Sequence, residues 1–459
     1  MSISLFIMAA GKGSRFKLKD HKLCIPIAGK PAIGRFLERT RRLELESYVL
    51  LHESQAQEVK DIASASEMNI LWQPTQDGTG GALQACIAQL KTQNKLPDYL
   101  LVMNADMPCI QTSTLRTLLQ NFQDKEKKMQ MVATTFPFET GFGRVLQKEF
   151  SIDITEQKDC TVEDLEQGLV NTGIYWLPVA PLLKVIDELP PHLPSNEKYI
   201  TDLFRYKWIK KSGCKAHLIY QKNWEDFLGL NTALDLKRAE EIIQEQIHEI
   251  LTDQGVHIKG RGYVEETVEV GQDTVIYPGV TLTGNTKIGE QVVLEANCTL
   301  HQATIGNHTR ILSGSYIENS HVGEHCTIGP HAHIRQDTHI ASHCRIGNFV
   351  EMKNTQLGEH SKAAHLAYVG DTEAGKNVNI SCGVITCNYD GVTKHKTVIE
   401  DDVFVGSDVQ LIAPIRIGKG SYIASGSTIN QDMAAGDFAV ARARQVTKKG
   451  AASRFRPKK

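Results

Sequence analysis

A six-residue repeat in the C-terminal half is the feature that most restricts the fold of this 459-residue chain. An aliphatic side chain recurs at nearly every sixth position, and a glycine often follows it. This period fits neither an α-helix nor an alternating strand, whereas it is typical of a β-helix whose three flat faces take about six residues each. The repeat therefore predicts a parallel β-helix. Its aliphatic positions are Val270, Ile276, Leu282, Ile288, Leu294, Leu300, Ile305, Ile311, Ile317, Val322, Ile328, Ile334, Ile340, Ile346, Met352, Ile399, Val405, Leu411, Ile417, Ile423 and Ile429.

The repeat itself is structural, so we expect function where it breaks. The longest break runs from Lys362 to Lys396, and polar residues concentrate there.

The N-terminal half has a different pattern, in which short apolar runs alternate with helical stretches. Ser4–Ala9 and Tyr99–Asn104 are typical of buried parallel strands, and Thr79–Lys91 and Ser113–Lys125 are typical of helices. This alternation predicts an open, Rossmann-like α/β sheet covered on both faces. The fold class expected for the chain is thus α/β followed by β.

A charged helical segment links the two halves. We predict a first domain over residues 1–230, a linker helix over 231–253, a β-helix over 254–440 and a basic tail over 441–459. The apolar residues of the linker suit one helix face. They are Leu234, Ile242, Ile243, Ile247 and Ile250.

Composition restricts the partners and the compartment. A hydrophobic fraction of 41% with a net charge of −2 is typical of a soluble globular protein and gives no electrostatic reason to expect nucleic acid or membrane. No signal peptide or membrane-spanning run is expected. The ten cysteines are scattered without a CxxC pair, which indicates reduced, mostly buried thiols in the cytoplasm. Lys448 to Lys459 carries six basic residues and no acid, and we interpret it as a solvated tail.

A glycine-rich turn, Met8-Ala-Ala-Gly-Lys-Gly-Ser-Arg15, directly follows the first predicted strand. Small residues let backbone N–H groups approach an anion at a helix N-terminus, and Arg15 and Lys22 can add charge-assisted contacts. By itself such a turn does not distinguish a nucleotide site from an ordinary strand-to-helix connection.

The turn is followed by further motifs, and together they resemble the sugar nucleotidyltransferases. The motifs in order are Gln73 with Gln76–Gly80, Asp106, Phe142-Gly143-Arg144, Glu156, Asn171–Gly173, Tyr199–Asp202 and Gly229–Asn231. The resemblance implies catalytic roles for Arg15 and Lys22, and a Mg²⁺ site at Asp106 and Asn231. It implies sugar contacts from Gly143, Glu156 and Asn171. The implied nucleotide-binding residues are Met8, Ala9, Ala10, Gly11, Lys22, Gln73, Gly78 and Thr79.

Motifs in the repeat region are more specific. Gly347–Lys353, Ser361–Asp371, Asn377–Ile380 and Ile385–Gly391 resemble the bifunctional enzymes that join glucosamine-1-phosphate acetyltransferase to N-acetylglucosamine-1-phosphate uridylyltransferase. The family's β-helix is left-handed, and the resemblance makes His365 the general base of acetyl transfer. The implied glucosamine 1-phosphate contacts are Arg335, Lys353, Tyr368, Asn379 and Lys394. The implied acetyl-coenzyme A contacts are Cys382, Asn388, Tyr389, Ser407, Ser425 and Arg442.

The resemblance implies a two-step function. Acetyl-coenzyme A acetylates glucosamine 1-phosphate, and the product then reacts with UTP and Mg²⁺ to give UDP-N-acetylglucosamine and pyrophosphate, a supply for bacterial cell-wall and lipopolysaccharide synthesis. It further implies a cytoplasmic homotrimer formed through the β-helix.

Departures from the family pattern keep two alternatives open. His21 replaces a usual proline, and Asn104-Ala105 replaces the pair that usually precedes the metal aspartate. These changes motivate an enzyme that uses another sugar or nucleotide, such as a galactosamine or glucose phosphate. The other alternative is a non-catalytic regulatory subunit, but the chain retains the charged catalytic groups that such subunits tend to lose.

Overall fold

The computed structural model describes residues 1–11, 21–122, 128–138, 140, 142–155, 168–193 and 196–455. The chain divides into two compact units, Met1–Glu245 and Gln246–Lys459. Within these ranges, no helix combines the length and the apolarity that crossing a membrane requires.

The first unit is built on a mixed sheet. Its main strand order is β11-β7-β10-β6-β1-β4-β5, with β8 and β9 attached at β10. The strands are β1 Ile3–Met8, β2 Pro26–Ile27, β3 Lys30–Pro31, β4 Glu46–Leu51, β5 Asn69–Trp72, β6 Tyr99–Asn104, β7 Lys128–Thr135, β8 Arg144–Gln147, β9 Ile152–Thr155, β10 Leu169–Pro178 and β11 Lys215–Tyr220. The helices are α1 Ala32–Arg41, α2 Gln57–Ala65, α3 Gly78–Thr92, α4 Thr112–Phe122, α5 Val179–Leu182, α6 Tyr206–Ser212 and α7 Ala233–Asp253.

Strand β1 is buried on both faces, as expected for a central parallel strand. Phe6 belongs to one apolar cluster and Leu5 and Ile7 to another, because successive side chains point to opposite sides of the sheet. Strand β1 runs parallel to both β4 and β6. The carboxyl ends of β1 and β6 therefore meet at one edge, where Ala105 N donates to Met8 O at 3.1 Å.

The second unit is a left-handed parallel β-helix. Most of its short strands pair in parallel with the strand three places further along, so three strands complete one turn. The two long strands β27 and β28 pair along their length with each other and take the place of several short strands. Its strands are β12 His257–Ile258, β13 Tyr263–Val264, β14 Glu269–Val270, β15 Val275–Ile276, β16 Thr281–Thr283, β17 Lys287–Ile288, β18 Val293–Leu294, β19 Thr299–His301, β20 Thr304–Ile305, β21 Arg310–Ile311, β22 Tyr316–Glu318, β23 Ser320–Val322, β24 Thr327–Ile328, β25 His333–Arg335, β26 Thr338–Ile340, β27 Arg345–Leu357, β28 Lys362–Ala374, β29 Asn379–Ile380, β30 Ile385–Cys387, β31 Thr397–Ile399, β32 Phe404–Val405, β33 Gln410–Ile412, β34 Ile415–Ile417, β35 Tyr422–Ile423, β36 Thr428–Ile429 and β37 Phe438–Ala439.

The predicted aliphatic positions of the repeat are buried, except that Val270 is only partly so. Each buried aliphatic side chain stacks on its counterpart one turn away, as Ile276 does on Leu294. The prediction of a β-helix from the hexad is therefore confirmed.

The coil continues through the break in the aliphatic repeat from Lys362 to Lys396. Strand β28 continues the helix, because small buried residues such as Ala363 and Ala374 take inward positions there. The next turn is longer than usual. Leu357 pairs with Ala374, seventeen residues later, whereas Ala374 pairs with Ile399, twenty-five residues later. The extra residues form the turns and bridge around Tyr389 and Lys394.

The linker helix α7 begins at Ala233, two residues later than predicted. Thr232 and Asp235 form a reciprocal cap: Asp235 N donates to Thr232 Oγ1 at 3.2 Å, and Thr232 N donates to Asp235 Oδ2 at 2.8 Å. The predicted single apolar face is wrong at two positions, because Leu234 and Ile250 are more than half exposed.

Most of the described cysteines are buried and the C-terminal tail is exposed, as the sequence predicts. Seven of the nine cysteines in the described ranges are buried, and Cys160 lies outside them. Residues 441–450 are exposed throughout, as expected for a solvated tail.

Candidate functional site

A pocket of about 360 Å³ opens at the carboxyl edge of the first unit's sheet. It joins the turns that follow β1 and β6 to the start of α3, as expected for a nucleotide site in an open α/β sheet. Ten predicted residues line it, namely Met8, Ala9, Ala10, Gly11, Lys22, Gln73, Gly78, Thr79, Asp106 and Asn231. The sequence analysis treated Asn104 only as a departure from the family pattern and missed Glu197, and both residues also line the pocket.

Lys22 and Asp106 form an ion pair in the lining of this pocket. The Lys22 Nζ atom lies 2.6 Å from Asp106 Oδ2 and donates to Leu230 O at 2.8 Å. Leu230 N in turn donates to Asp106 O at 2.9 Å. Three segments that are distant in sequence are thereby fixed to one another, and the next residue, Asn231, is placed beside Asp106 in the lining.

The cap of α7 holds Asn231 in position. Asp235 Oδ2 accepts hydrogen bonds from Asn231 N at 3.1 Å and from Thr232 Oγ1 at 2.9 Å. A carboxylate at the start of a helix also interacts favourably with the helix dipole. Asp235 is therefore a positioning residue for the site, and only the cap geometry identifies it.

Gly78 makes the turn at the start of α3 possible. Its φ is +90°, and a Cβ there would lie 2.5 Å from Lys198 O, so a larger residue is excluded by both conformation and space. Gln73 is buried, and its Nε2 donates to Asp77 Oδ1 at 3.1 Å. Gln76 Nε2 donates to Ala10 O at 2.6 Å, which ties this loop to the turn after β1.

The predicted sugar contacts lie apart from the pocket lining. Asn171 N donates to Gly143 O at 3.1 Å where strand β10 has an irregular register, and Asn171 Nδ2 donates to Tyr175 Oη at 2.8 Å. Gly173 N donates back to Asn171 Oδ1 at 3.1 Å, which fixes this amide. Arg15 and Glu156 lie outside the described residues.

The two departures from the family pattern occupy defined places. Asn104 lines the pocket and faces Gly173, where any side chain would collide with it. His21 Nε2 lies 3.4 Å from Gly11 O and 3.1 Å from Gln55 Nε2. Burial lowers the pKa of His21, so a neutral ring supports the turn after β1.

A cluster of cations lies on the β-helix. Arg335 and Lys353 are in register on neighbouring turns, and Arg335 Nη2 lies 2.7 Å from Glu351 Oε1. The ammonium group of Lys394, together with Arg335, lowers the pKa of Lys353. Positive charges that repel one another on an exposed surface favour an anionic ligand between them.

His365 lies one turn from this cluster, in register with Asn348. The imidazole is exposed, and its Nδ1 lies 3.1 Å from Asn348 Oδ1. Because an amide oxygen only accepts, the contact favours the tautomer with a proton on Nδ1. The Nε2 lone pair then remains available to a substrate.

Tyr368 and Asn388 meet above Gly370. A Cβ at Gly370 would lie 2.5 Å from Tyr368 Oη and 2.8 Å from Asn388 Nδ2, so the absence of a side chain admits both groups. Asn388 Nδ2 donates to Asp371, which also accepts from Asn354 Nδ2 at 2.6 Å. Sequence reasoning missed Asp371, Gly370 and Asn348 because their roles depend on stacking between turns.

The remaining predicted residues of the β-helix fall into two places. Tyr389 is exposed and bridges to Lys394 in the insertion, while Asn379 donates to Ser381 Oγ at 3.0 Å. Cys382, Ser407, Ser425 and Arg442 form an exposed corner column over successive turns. Ser407 N donates to Ser425 Oγ at 3.2 Å, and Arg442 Nη1 donates to Ser425 O at 2.8 Å.

Comparison with known proteins agrees with both halves. Residues 5–155 match the family model of the MobA-like NTP transferase domain, and residues 319–354 and 396–431 match the model of the bacterial transferase hexapeptide with six repeats. The fold and the sites define a transferase in which a nucleotidyltransferase is joined to a hexapeptide-repeat acyltransferase.

Curated relatives extend this similarity over the whole chain. The chain is 36% identical to the bifunctional protein GlmU of Alkaliphilus metalliredigens, with 98% of each chain covered. It is 37% identical to GlmU of Pelobacter propionicus over 100% of this chain and 99% of that one, and 35% identical to GlmU of Clostridioides difficile over 98% and 97%. The chain therefore belongs to the family of bifunctional GlmU proteins, which confirms the expected pairing of uridylyl and acetyl transfer.

Proposed function

We propose that the chain makes UDP-N-acetylglucosamine, with acetyl transfer on the β-helix and uridylyl transfer in the pocket of the first unit. The observation that carries the proposal is the presence, within one chain, of the Lys22–Asp106–Asn231 pocket and the His365 cluster with its cations.

Acetyl transfer needs a base and an anion site, and the β-helix offers both. Arg335, Lys353 and Lys394 would hold the phosphate of glucosamine 1-phosphate, since a forked guanidinium and two ammonium groups suit a dianion. The amino nitrogen of glucosamine 1-phosphate would bond to the acetyl carbon while the coenzyme A thiolate leaves. His365 Nε2 would take the proton that this amino nitrogen loses. Asn348 would keep the imidazole in the required tautomer.

Uridylyl transfer would proceed by in-line attack. A phosphate oxygen of N-acetylglucosamine 1-phosphate bonds to the α-phosphorus of UTP, and pyrophosphate leaves. The backbone after β1 and the Lys22 ammonium would bind phosphate oxygens, and Gln73 with Gly78 would contact the uracil. Positioning and charge neutralisation supply most of such catalysis.

The donor set of Asp106 and Asn231 suits Mg²⁺. One carboxylate and one amide oxygen leave room for waters and substrate phosphates, which is how this ion is usually held. Within the described ranges no three His, Cys, Asp or Glu side chains could together hold a metal ion. This does not conflict with the proposal, because the proposed site uses a single carboxylate. When bound, the ion would neutralise phosphate charge.

A homotrimer is the expected assembly. Apolar side chains near the acetyl-transfer residues are exposed in the single chain, among them Phe349, Leu366 and Ile385. Exposed apolar clusters of this kind favour burial against another subunit. Sedimentation analysis would test this, and a monomer at micromolar concentration would contradict it. The scattered cysteines, none of them in a CxxC pair, support a cytoplasmic location.

The deciding experiment is a split assay on the full chain. One arm supplies glucosamine 1-phosphate and acetyl-coenzyme A and follows free thiol. The other supplies N-acetylglucosamine 1-phosphate, UTP and Mg²⁺ and follows pyrophosphate, with dTTP and a galactosamine substrate as comparisons. Turnover in both arms supports the proposal. Preference for dTTP or galactosamine would instead support the alternative specificity suggested by Asn104 and His21.

A further inference from the structure

Three aromatic rings form a partly exposed column near the C-terminal end of the β-helix. Phe404, Tyr422 and Phe438 are in register on successive turns. Their ring centroids are 4.6 Å and 5.7 Å apart, with interplanar angles of 13° and 27°. Tyr422 is 47% exposed and Phe438 is 66% exposed. A contiguous apolar surface of this kind usually marks a binding site.

The column is continuous with residues proposed to bind substrates. Directly above Phe404, on the preceding turn, lies Asn379, a proposed sugar contact. Three residues after Phe404 and Tyr422 come Ser407 and Ser425, which belong to the corner column proposed for acetyl-coenzyme A.

The charged end of the corner column is at the same level as the end of the aromatic column. Four residues after Phe438 comes Arg442, whose guanidinium is fixed to Ser425 O. Three turns separate Asn379 from Phe438, a span of about 14 Å at the usual strand spacing. An extended acyl donor that starts at the sugar would therefore run down this surface and bring its phosphorylated end to Arg442.

We propose that Tyr422 and Phe438, supported by Phe404, form the stacking platform for the adenine ring of acetyl-coenzyme A. The proposal rests on the proposed acetyltransferase function. Adenine is flat and aromatic and stacks on tyrosine and phenylalanine faces, while its ribose phosphate requires a cation beside the platform. Arg442 is a cation placed on that side.

The test compares two acetyl donors in the full chain. Acetyl-coenzyme A carries the adenosine, and S-acetyl-4′-phosphopantetheine lacks it. For Tyr422→Ala and Phe438→Ala we expect kcat/KM with acetyl-coenzyme A to fall about tenfold each, because the loss of one stacked ring has an effect of that order. The same constant measured with the truncated donor should not change.

Two further variants serve as controls. Tyr422→Phe keeps the ring and should retain wild-type kcat/KM with both donors. Tyr277→Ala removes another exposed aromatic side chain of the β-helix, far along the chain from this column, and should also leave both constants unchanged. The uridylyl-transfer rate of each variant reports whether the protein remains folded.

Several results would overturn the platform. An equal loss of kcat/KM with both donors would show that the column has only a structural role. Dissociation of the oligomer on removal of the rings would show that the column is a face between two copies of the chain. Unchanged kinetics in the double variant would mean that the rings do not bind the donor. Wild-type protein that transfers acetyl from neither donor would overturn the proposed function itself, which is a distinguishable outcome.

Discussion

His365 and Asn348 lie side by side on neighbouring turns of the β-helix, with His365 Nδ1 3.1 Å from Asn348 Oδ1. The pairing comes from register, because seventeen residues make one turn at this level of the coil. The imidazole on one turn is thereby held by an amide on another. The first prediction follows from this contact.

Replacing the orienting amide should slow acetyl transfer and leave uridylyl transfer intact. For Asn348→Ala we expect kcat to fall about tenfold, in line with the loss of an orienting partner. His365→Ala should abolish acetyl transfer. In Asn348→Asp the added carboxylate stabilises the imidazolium, so the acidic limb of the pH–rate profile should move to higher pH. An unmoved profile would show that the contact does not form in solution.

The second prediction concerns the Lys22–Asp106 pair. Asp106→Asn removes the carboxylate proposed for Mg²⁺ and leaves Lys22 without the negative charge of its ion pair. We expect uridylyl transfer to fall at least a hundredfold, an effect of the size seen when one electrostatic contact to a reacting centre is lost. Acetyl transfer by the same preparation should stay at the wild-type rate. Loss of both activities in a folded variant would contradict two independent sites.

The third prediction tests whether Asp235, at the start of α7, positions Asn231 or only caps the helix. Asp235→Ala removes three hydrogen bonds at Asn231 and Thr232 but no proposed ligand. Loss of the cap should lower the free energy of unfolding by about 1 kcal/mol. Release of Asn231 should raise the Mg²⁺ concentration needed for half-maximal uridylyl transfer. A stability change without a change in Mg²⁺ dependence would limit Asp235 to capping.

The fourth prediction concerns the cations of the acetyl-transfer site. Lys394→Ala should raise KM for glucosamine 1-phosphate about tenfold, because a charge-assisted contact to the phosphate is removed. The wild-type KM should itself increase with salt, since exposed charges are screened. Lys376→Ala is the matched control, because this exposed lysine pairs with Glu359 instead. An equal effect of the two substitutions would point to general surface charge.

Several features of the molecule could be predicted from the sequence because they depend on local pattern. The hexad defined the β-helix, since a buried aliphatic side chain every six residues can be satisfied by few other folds. The turn after β1 and the position of Asp106 at the end of β6 also follow from strands that end in small or polar residues. Lys22, Asp106 and Asn231 accordingly line one pocket as expected.

Other features depend on the tertiary structure, because they arise between residues that are remote in the chain. Ala363 and Ala374 are buried at inward positions of the coil. Because they are small, a search for large aliphatic residues at every sixth position does not show that the coil continues there. Asp371, Gly370 and Asn348 contact the predicted site residues only because neighbouring turns stack in register. Sequence alone thus determined the repeat and the candidate residues of both sites, while only the stacking of turns and the cap of α7 decided which neighbours contact them.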